Sequence, residues 1–152
     1  MNTRSFWLSV LISGLVIGLL GGLPILNLVN CFLCIWIWMG GVLAVSLYWK
    51  YQRDEAVATV GQGAGLGAVA GLIGAFVAAL VFAVTGPLHM SIYNNLWRAG
   101  QLGGTSPFWS AGFWEIVISA LGFLFVDLVL YPLFGAIGGM VAASIMKKPA
   151  TA

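Results

Sequence analysis

The sequence predicts an all-α integral membrane protein, a four-helix bundle built from a duplicated helical hairpin, with a short outer interfacial helix. Three observations carry this prediction. The 152-residue chain is 61% hydrophobic and only 7% charged, whereas about a quarter of the residues in a soluble domain are charged. A pattern of small residues returns along the chain. Apolar runs of membrane-spanning length occur at residues 6–23, 31–49, 63–84 and 114–146.

The repeat relates the second apolar run to the fourth and the first to the third. At a constant offset of 98, five residues in or just after the second run recur in or just after the fourth. The first and third runs each carry three glycines at four-residue spacing, where a neighbouring helix can approach closely. We interpret these as helix-packing positions, within one monomer or along an oligomer seam. The residues are Gly40, Gly41, Ala44, Ser46 and Lys50, matched by Gly138, Gly139, Ala142, Ser144 and Lys148, and Gly14, Gly18 and Gly22, matched by Gly63, Gly67 and Gly71.

The first helix is expected to be retained, because its apolar core runs into Pro24 without the small-residue site of a cleaved signal peptide. Pro24 ends this helix. The connection that follows is short, so the first and second helices are predicted to be antiparallel neighbours. Asn30 is expected to cap the second helix through its side chain. That assignment places Cys31 and Cys34 in the first turn of the second helix, at the outer membrane surface.

The third helix is expected to end near residue 84, because Thr-Gly-Pro follows at residues 85–87. Residues 86–113 then form a long outer loop. Apolar residues recur at helical spacing from Leu88 to Ala99, which predicts a short helix lying in the membrane interface. His89 is interpreted as a polar residue of that surface helix.

The last run is too long for one upright crossing, at about 1.5 Å per residue. Two crossings would put Lys147 and Lys148 outside, against the positive-inside rule. We therefore predict one long helix bent near Pro132. With both termini cytoplasmic, five of the six basic residues lie inside and Arg98 lies outside. This distribution suits a multi-pass protein of the inner membrane of a bacterium or archaeon.

The two cysteines are the first candidates for chemistry. A helix N-terminus stabilises a thiolate, and the outer face is an oxidising compartment in many microbes. Residues 30–35, Asn-Cys-Phe-Leu-Cys-Ile, at the outer start of the second of four helices, resemble the bacterial membrane thiol oxidases of the DsbB type. The resemblance implies that Cys31 and Cys34 pass electrons to a quinone. The chain departs from that family because residues 86–113 contain no cysteine, where the family keeps a second pair.

A second resemblance covers more of the chain. It rests on Gly-Gly-Leu-Pro-Ile-Leu-Asn at residues 21–27, Asn-Cys-x-x-Cys-x-Trp at 30–36, and the glycine-rich third helix. These features resemble a group of small uncharacterised microbial four-helix membrane proteins. The resemblance implies the architecture and no activity, and it favours structural cysteines. No metal is expected, because one cysteine pair supplies two ligands where a structural zinc site needs four.

Asp127 is the other candidate, because a charge inside a membrane costs about 2–3 kcal/mol. Tyr131 lies four residues further on, at the same face of a helix, and can hydrogen-bond to it. At depth, the two would suggest an ion or proton pathway. If the first half of this helix lies at the interface, Asp127 is simply solvated.

Three functions remain open. The first is a non-enzymatic structural or accessory component acting through glycine-rich helix packing, alone, as a homo-oligomer or in a larger membrane complex. The second is a small transport or permeation protein using Asp127. The third, and the only enzymatic one, is a quinone-coupled thiol oxidoreductase using Cys31 and Cys34, with quinone as its cofactor. The net charge of +2 is too small to favour nucleic acid as a partner. The lipid bilayer is the one environment that all three share.

Overall fold

The structure is a computed structural model that describes residues 2–26, 34–52, 58–100 and 113–146. Over these residues the chain is helical and contains no strand. Three helices are long and apolar enough to cross a membrane, which identifies a helical membrane protein. They are the first, third and fourth of the long helices α1 (Thr3–Gly22), α2 (Ile35–Tyr51), α3 (Val60–Ala99) and α4 (Phe113–Ile145).

Side-chain caps define where α1 and α3 begin. The side chain of Asn2 accepts a hydrogen bond from Arg4 N at 3.1 Å. At α3, the Thr59 hydroxyl accepts from Gln62 N at 3.3 Å, while the Gln62 side-chain oxygen accepts from Thr59 N at 2.9 Å. This reciprocal pair is a capping box, which satisfies two backbone donors at once. It starts α3 at Val60, ahead of the predicted residue 63.

The prediction that the third helix ends near residue 84 is wrong, because α3 runs through Pro87 to Ala99 as one helix of 40 residues. Proline removes one backbone donor, which a membrane helix tolerates when neighbouring groups compensate. The Thr85 hydroxyl donates to Val81 O at 2.8 Å and so reinforces the turn before Pro87. The separate interfacial helix from residue 88 is thus the last part of α3. The remainder of the predicted outer loop, residues 101–112, lies outside the described residues.

The fourth helix is continuous from Phe113 to Ile145 and contains Pro132. At 33 residues it is about 50 Å long. The hydrocarbon core of a bilayer is about 30 Å thick. Its length therefore exceeds what an upright crossing requires, as the sequence indicates.

Helices α1 and α3 run parallel and pack through the glycines of α1. A Cβ at each of these glycines would lie only 2.5–2.7 Å from the Cβ of a branched side chain on α3. Small residues on one helix and β-branched residues on the other therefore allow close approach. The pairs are Gly14 with Ile73, Gly18 with Val77 and Gly22 with Val81.

Helices α3 and α4 run antiparallel, and their backbones touch. Added Cβ atoms on either helix would overlap a carbonyl oxygen of the other, so these positions accept glycine alone. The same register continues along the whole contact. The backbone contacts pair Gly63 with Gly139, Gly67 with Gly135 and Gly71 with Tyr131, and further along the same register Gly86 faces the side chain of Ile116.

The two glycine sets aligned by the repeat therefore take different neighbours. The set on α1 receives side chains of α3, whereas the set on α3 lies against the backbone of α4. In the second pair of runs, Gly40 faces Ile17 of α1, while Gly138 faces Trp38 of α2.

The α3–α4 pair is much longer than α1. Gly22, the last residue of α1, lies beside Val81, since a Cβ at Gly22 would be 2.5 Å from Val81 Cβ. Beyond that level α3 continues to Ala99, over about 27 Å. Its partner accompanies it, because Gly86 faces Ile116. We call residues 82–99 of α3 and 113–120 of α4 the distal segment.

One side of α3 is apolar and exposed from the level of α1 into the distal segment. Its large residues recur every four positions and are each more than half exposed. Such a stripe faces lipid or another protein. We call it the α3 stripe, and it consists of Phe76, Leu80, Val84 and Leu88.

Candidate functional site

Tyr131 lies where α1, α3 and α4 meet. Only 2% of it is exposed. Its hydroxyl lies against Gly21 of α1, where an added Cβ would overlap the oxygen. Its ring lies against Gly74 of α3, whose added Cβ would be 3.1 Å from Tyr131 Cδ1. Glycine on two neighbouring helices therefore makes the space that this large side chain fills.

Cys34 packs against the cluster of buried residues that contains Tyr131, Ile17 and Ile37. The structure thus brings together two residues that the sequence assigned to different hypotheses. Asp127 lies one helical turn before Tyr131 on the same face of α4.

The position of Cys34 differs from the prediction, because it precedes α2 instead of lying in its first turn. Its backbone is left-handed, with φ 53° and ψ 36°. Of the non-glycine residues in the described ranges, it alone has a positive φ. Its carbonyl accepts from Ile37 N at 3.0 Å and Trp38 N at 3.2 Å, and its side chain makes no cap hydrogen bond. The predicted cap Asn30 and the second cysteine Cys31 lie outside the described residues.

Asp127 is half-buried, at the level of residues 14–18 of α1. In the α3–α4 register it faces about Ala75, which lies between Ile73, the neighbour of Gly14, and Val77, the neighbour of Gly18. The position is thus within the length of α1 and not in the distal segment.

An apolar groove between α1 and α2 borders the same region. It has a volume of about 110 Å³, and Ile17 contributes both to it and to the Tyr131 cluster. At one end, Trp36 Nε1 donates to Leu26 O at 3.0 Å. The lining is almost entirely apolar. It consists of Val16, Ile17, Leu20, Trp36, Met39, Gly40 and Leu43.

His89 is a residue whose environment the sequence did not reveal. It was expected on a surface helix, yet it is 0% exposed, because α3 continues past Pro87 and carries it into the α3–α4 contact region. Its ring packs on Phe82 at a centroid distance of 4.6 Å, and Phe82 in turn packs on Phe123 of α4 at 4.7 Å. Helical spacing alone could have paired His89 with Thr85, four residues before it.

The neighbours of His89 Nδ1 favour one tautomer of its ring. Nδ1 lies 3.2 Å from Thr85 Oγ1 and 3.3 Å from Thr85 O. The Thr85 hydroxyl has an acceptor in the carbonyl of Val81 and Thr85 O can only accept, so a hydrogen on Nδ1 satisfies both contacts. Nε2 is then an acceptor, and within the described part of the chain this buried atom has no hydrogen-bond partner.

No metal site is formed by the described residues, which contain no group of three or more histidine, cysteine or acidic side chains. No protein-family model, curated protein or solved structure matches the chain. The function is therefore inferred from the residues of this chain and their contacts.

Proposed function

We propose that this chain is a small non-enzymatic membrane protein that acts as a structural or accessory component, and that its partner contacts lie on the α3–α4 pair. The proposal includes a four-helix bundle in the inner membrane of a bacterium or archaeon, with both termini cytoplasmic. The basic residues at the chain ends and after α2 support this orientation through the positive-inside rule.

The observation that carries the proposal is the difference in length between the helices. Residues 60–81 of α3 accompany α1, which at 20 residues is about 30 Å long and already matches a bilayer core. The distal segment extends beyond that level and remains apolar, with Val84 82% exposed and Trp114 71% exposed. Fitting a helix of about 50 Å into such a core would need a tilt outside the usual range of 0–40°.

The glycine positions support an accessory role in a different way from the one the sequence suggests. The glycines at which helices touch are occupied by neighbours within the monomer. They pack the helices of one monomer against each other. The contact with a partner is therefore made by the exposed apolar side chains of the distal segment. Exposed apolar surface beyond the lipid is typical of protein interfaces.

Photo-cross-linking in native membranes tests this proposal. A photoreactive amino acid at Val84 or Leu88 in the α3 stripe should give protein adducts larger than the monomer. The control is the same amino acid at Leu15, which is 48% exposed on α1, outside the distal segment. Adducts to lipid alone at all three positions would contradict an accessory role.

A quinone-coupled thiol oxidoreductase is the second candidate, and the surroundings of Cys34 favour it. Strained backbone in a non-glycine residue is enriched at functional sites, and here it occurs beside Tyr131 and near an apolar groove. Alkylation of Cys31 and Cys34 in intact membranes, before and after mild reduction and with or without oxidised quinone, tests this function. Reoxidation by quinone would support it, and inert thiols would exclude it.

A further inference from the structure

We propose that protonation of His89 opens the contact between α3 and α4 in the distal segment, so that the protein responds to acid just beyond the end of α1. This inference goes beyond the proposed function and does not depend on an accessory role. Three features of the described residues support it: the place of His89 between helices, the bonding of its ring and the weak packing of α4 beside it.

His89 lies where α3 has passed the end of α1. The side chains of α3 that contact the α1 glycines recur every four residues. Thr85 continues this series, and its hydroxyl lies 3.4 Å from Gly22 O. His89 is the next member, one turn further along. Its ring also packs on Phe82, which in turn packs on Phe123 of α4. The ring is therefore part of the packing between the helices.

The packed site fits the neutral ring. A hydrogen on Nδ1 satisfies the contacts with Thr85, and Nε2 is buried without a hydrogen-bond partner among the described residues. Protonation would place a charge and a second N–H at Nε2, where no described group accepts it. A buried donor without an acceptor is costly, and a buried charge is more so. The protonated ring is satisfied only when His89 leaves the contact and Nε2 reaches water.

The packing should consequently be complete at neutral pH and lost on acidification. Because the folded state favours the neutral ring, its contribution to stability is present above the unperturbed imidazole value of about pH 6.5 and is lost as the pH falls below it. Opening is thus the response to acid and closing the response to base.

Few other titratable or charged residues lie on the parts of the helices around His89. They are Cys34 on α2, Tyr93 and Arg98 on α3 and Glu115 on α4, whereas residues 17–26 of α1 contain none and Cys31 lies outside the described residues. Unperturbed cysteine and tyrosine stay neutral in acid, arginine stays charged, and glutamate keeps its charge down to about pH 4.3. In the range between these values and neutrality, the imidazole is the group that changes.

The stretch of α4 beside His89 is weakly held. None of the described side chains of residues 113–120 is buried, and Phe113, Trp114 and Ile118 are each more than two-thirds exposed. Segments with few buried contacts open at a low cost in free energy. Loss of the His89 contact should therefore separate α4 from α3 in the distal segment and leave the glycine contacts further along in place.

Spin-label distances at two pH values test this opening. In a background with Cys31 and Cys34 replaced by alanine, labels are placed at Val84 and Ile118, two exposed residues at the same level of α3 and α4. Pulsed electron paramagnetic resonance of the reconstituted protein is recorded at about pH 8 and about pH 4.5, on either side of the imidazole value. The acidic sample should show a longer separation that disappears when the pH is raised again.

The control pair is Phe76 and Val126, which are both 54% exposed and lie within the length of α1. Its separation should be the same at both pH values. In the unlabelled protein, the ring of His89 should gain its second N–H over the same pH range, which ¹⁵N signals of this single histidine report.

Neutral variants of His89 identify the group that responds. His89→Phe keeps an aromatic ring beside Phe82 and removes the titratable nitrogen, so the longer separation should be absent at both pH values. His89→Gln is a second neutral variant, whose side chain retains a donor for Thr85. Glu115→Gln is the matched control on α4 and should keep the acid response.

An unchanged separation between Val84 and Ile118, or an equal change in the control pair, would overturn the inference. So would an acid response that survives in both His89 variants or disappears in Glu115→Gln. None of these results bears on the accessory role, which the adducts at the α3 stripe test separately.

Discussion

The hydroxyl of Tyr131 on α4 lies directly against Gly21 on α1, where a Cβ would overlap its oxygen. The contact joins the two ends of the described chain, because α1 is the first helix and α4 the last. It also fixes the position of Tyr131 beside Cys34.

Gly21→Ala should therefore destabilise the protein by about 1–3 kcal/mol, the usual cost of forcing a group into a packed interior. The free energy of unfolding in detergent micelles measures the effect. Tyr131→Phe should relieve part of it, because the variant removes the overlapping oxygen. Gly61→Ala is the matched control, since nothing lies within 4 Å of its added Cβ. Equal stability of the Gly21 and Gly61 variants would contradict this packing.

Gly67→Ala should be more destabilising than Gly40→Ala, by about 1 kcal/mol or more, because overpacking is worst where nothing can move aside. The Cβ at position 67 meets the backbone of Gly135, whereas that at position 40 meets only the side chain of Ile17. Unfolding free energies of both variants test the order. In the background of Ile17→Ala, the cost of adding Gly40→Ala should be smaller than in the wild type, whereas the cost of adding Gly67→Ala should stay the same.

Cys34→Gly should be more stable than Cys34→Ala by about 1 kcal/mol, because a left-handed backbone is strained for every residue with a Cβ. Alanine is the appropriate reference, since both variants lose the sulfur and its packing. Denaturation of the two purified variants gives the difference. A more stable alanine variant would show that residue 34 is not left-handed in solution.

The ring of His89 should be the neutral tautomer with hydrogen on Nδ1, because Thr85 presents an acceptor carbonyl to that atom while its hydroxyl donates to Val81. This is the only histidine of the chain, so ¹⁵N labelling of histidine gives one unambiguous pair of ring signals. Hydrogen on Nε2 instead would be inconsistent with the packing of this ring. Thr85→Val should leave the backbone acceptor and the tautomer in place.

Asp127→Asn should leave the stability and every cross-link unchanged if the protein is an accessory component, because the change removes charge and almost no volume. Proteoliposomes carrying either form should then show the same low proton and cation permeability. A flux in the wild-type protein that disappears in the variant would instead favour a transport protein.

The class of protein followed from the sequence because composition and periodicity are properties of the chain itself. The helical spans of α1 and α4 were close to the expected ones for that reason. The end of α3 was not predictable in the same way. Proline at position 87 breaks most isolated helices, and only the packing of α3 on α4 shows that this one continues.

The sequence identified the candidate residues of the site one by one, but it did not predict which of them lie next to each other in space. Sequence spacing could pair Asp127 with Tyr131, because one helix turn separates them. It could not bring Cys34 to Tyr131 or bury His89, since those contacts depend on how different helices cross. The glycines show the same limit. Their spacing predicts close packing, but which helix each one meets is a property of the assembled structure.

The sequence by itself thus determined a helical membrane protein with little charge, glycine-rich helices and few groups capable of chemistry, because hydrophobicity and helical period are local and additive. Only the tertiary structure decided that the touching glycines are used inside the monomer, that Tyr131 fills the space beside Gly21, and that α3 and α4 extend beyond α1. The physical reason is that packing depends on the atoms across an interface, and residues distant in the sequence supply those atoms.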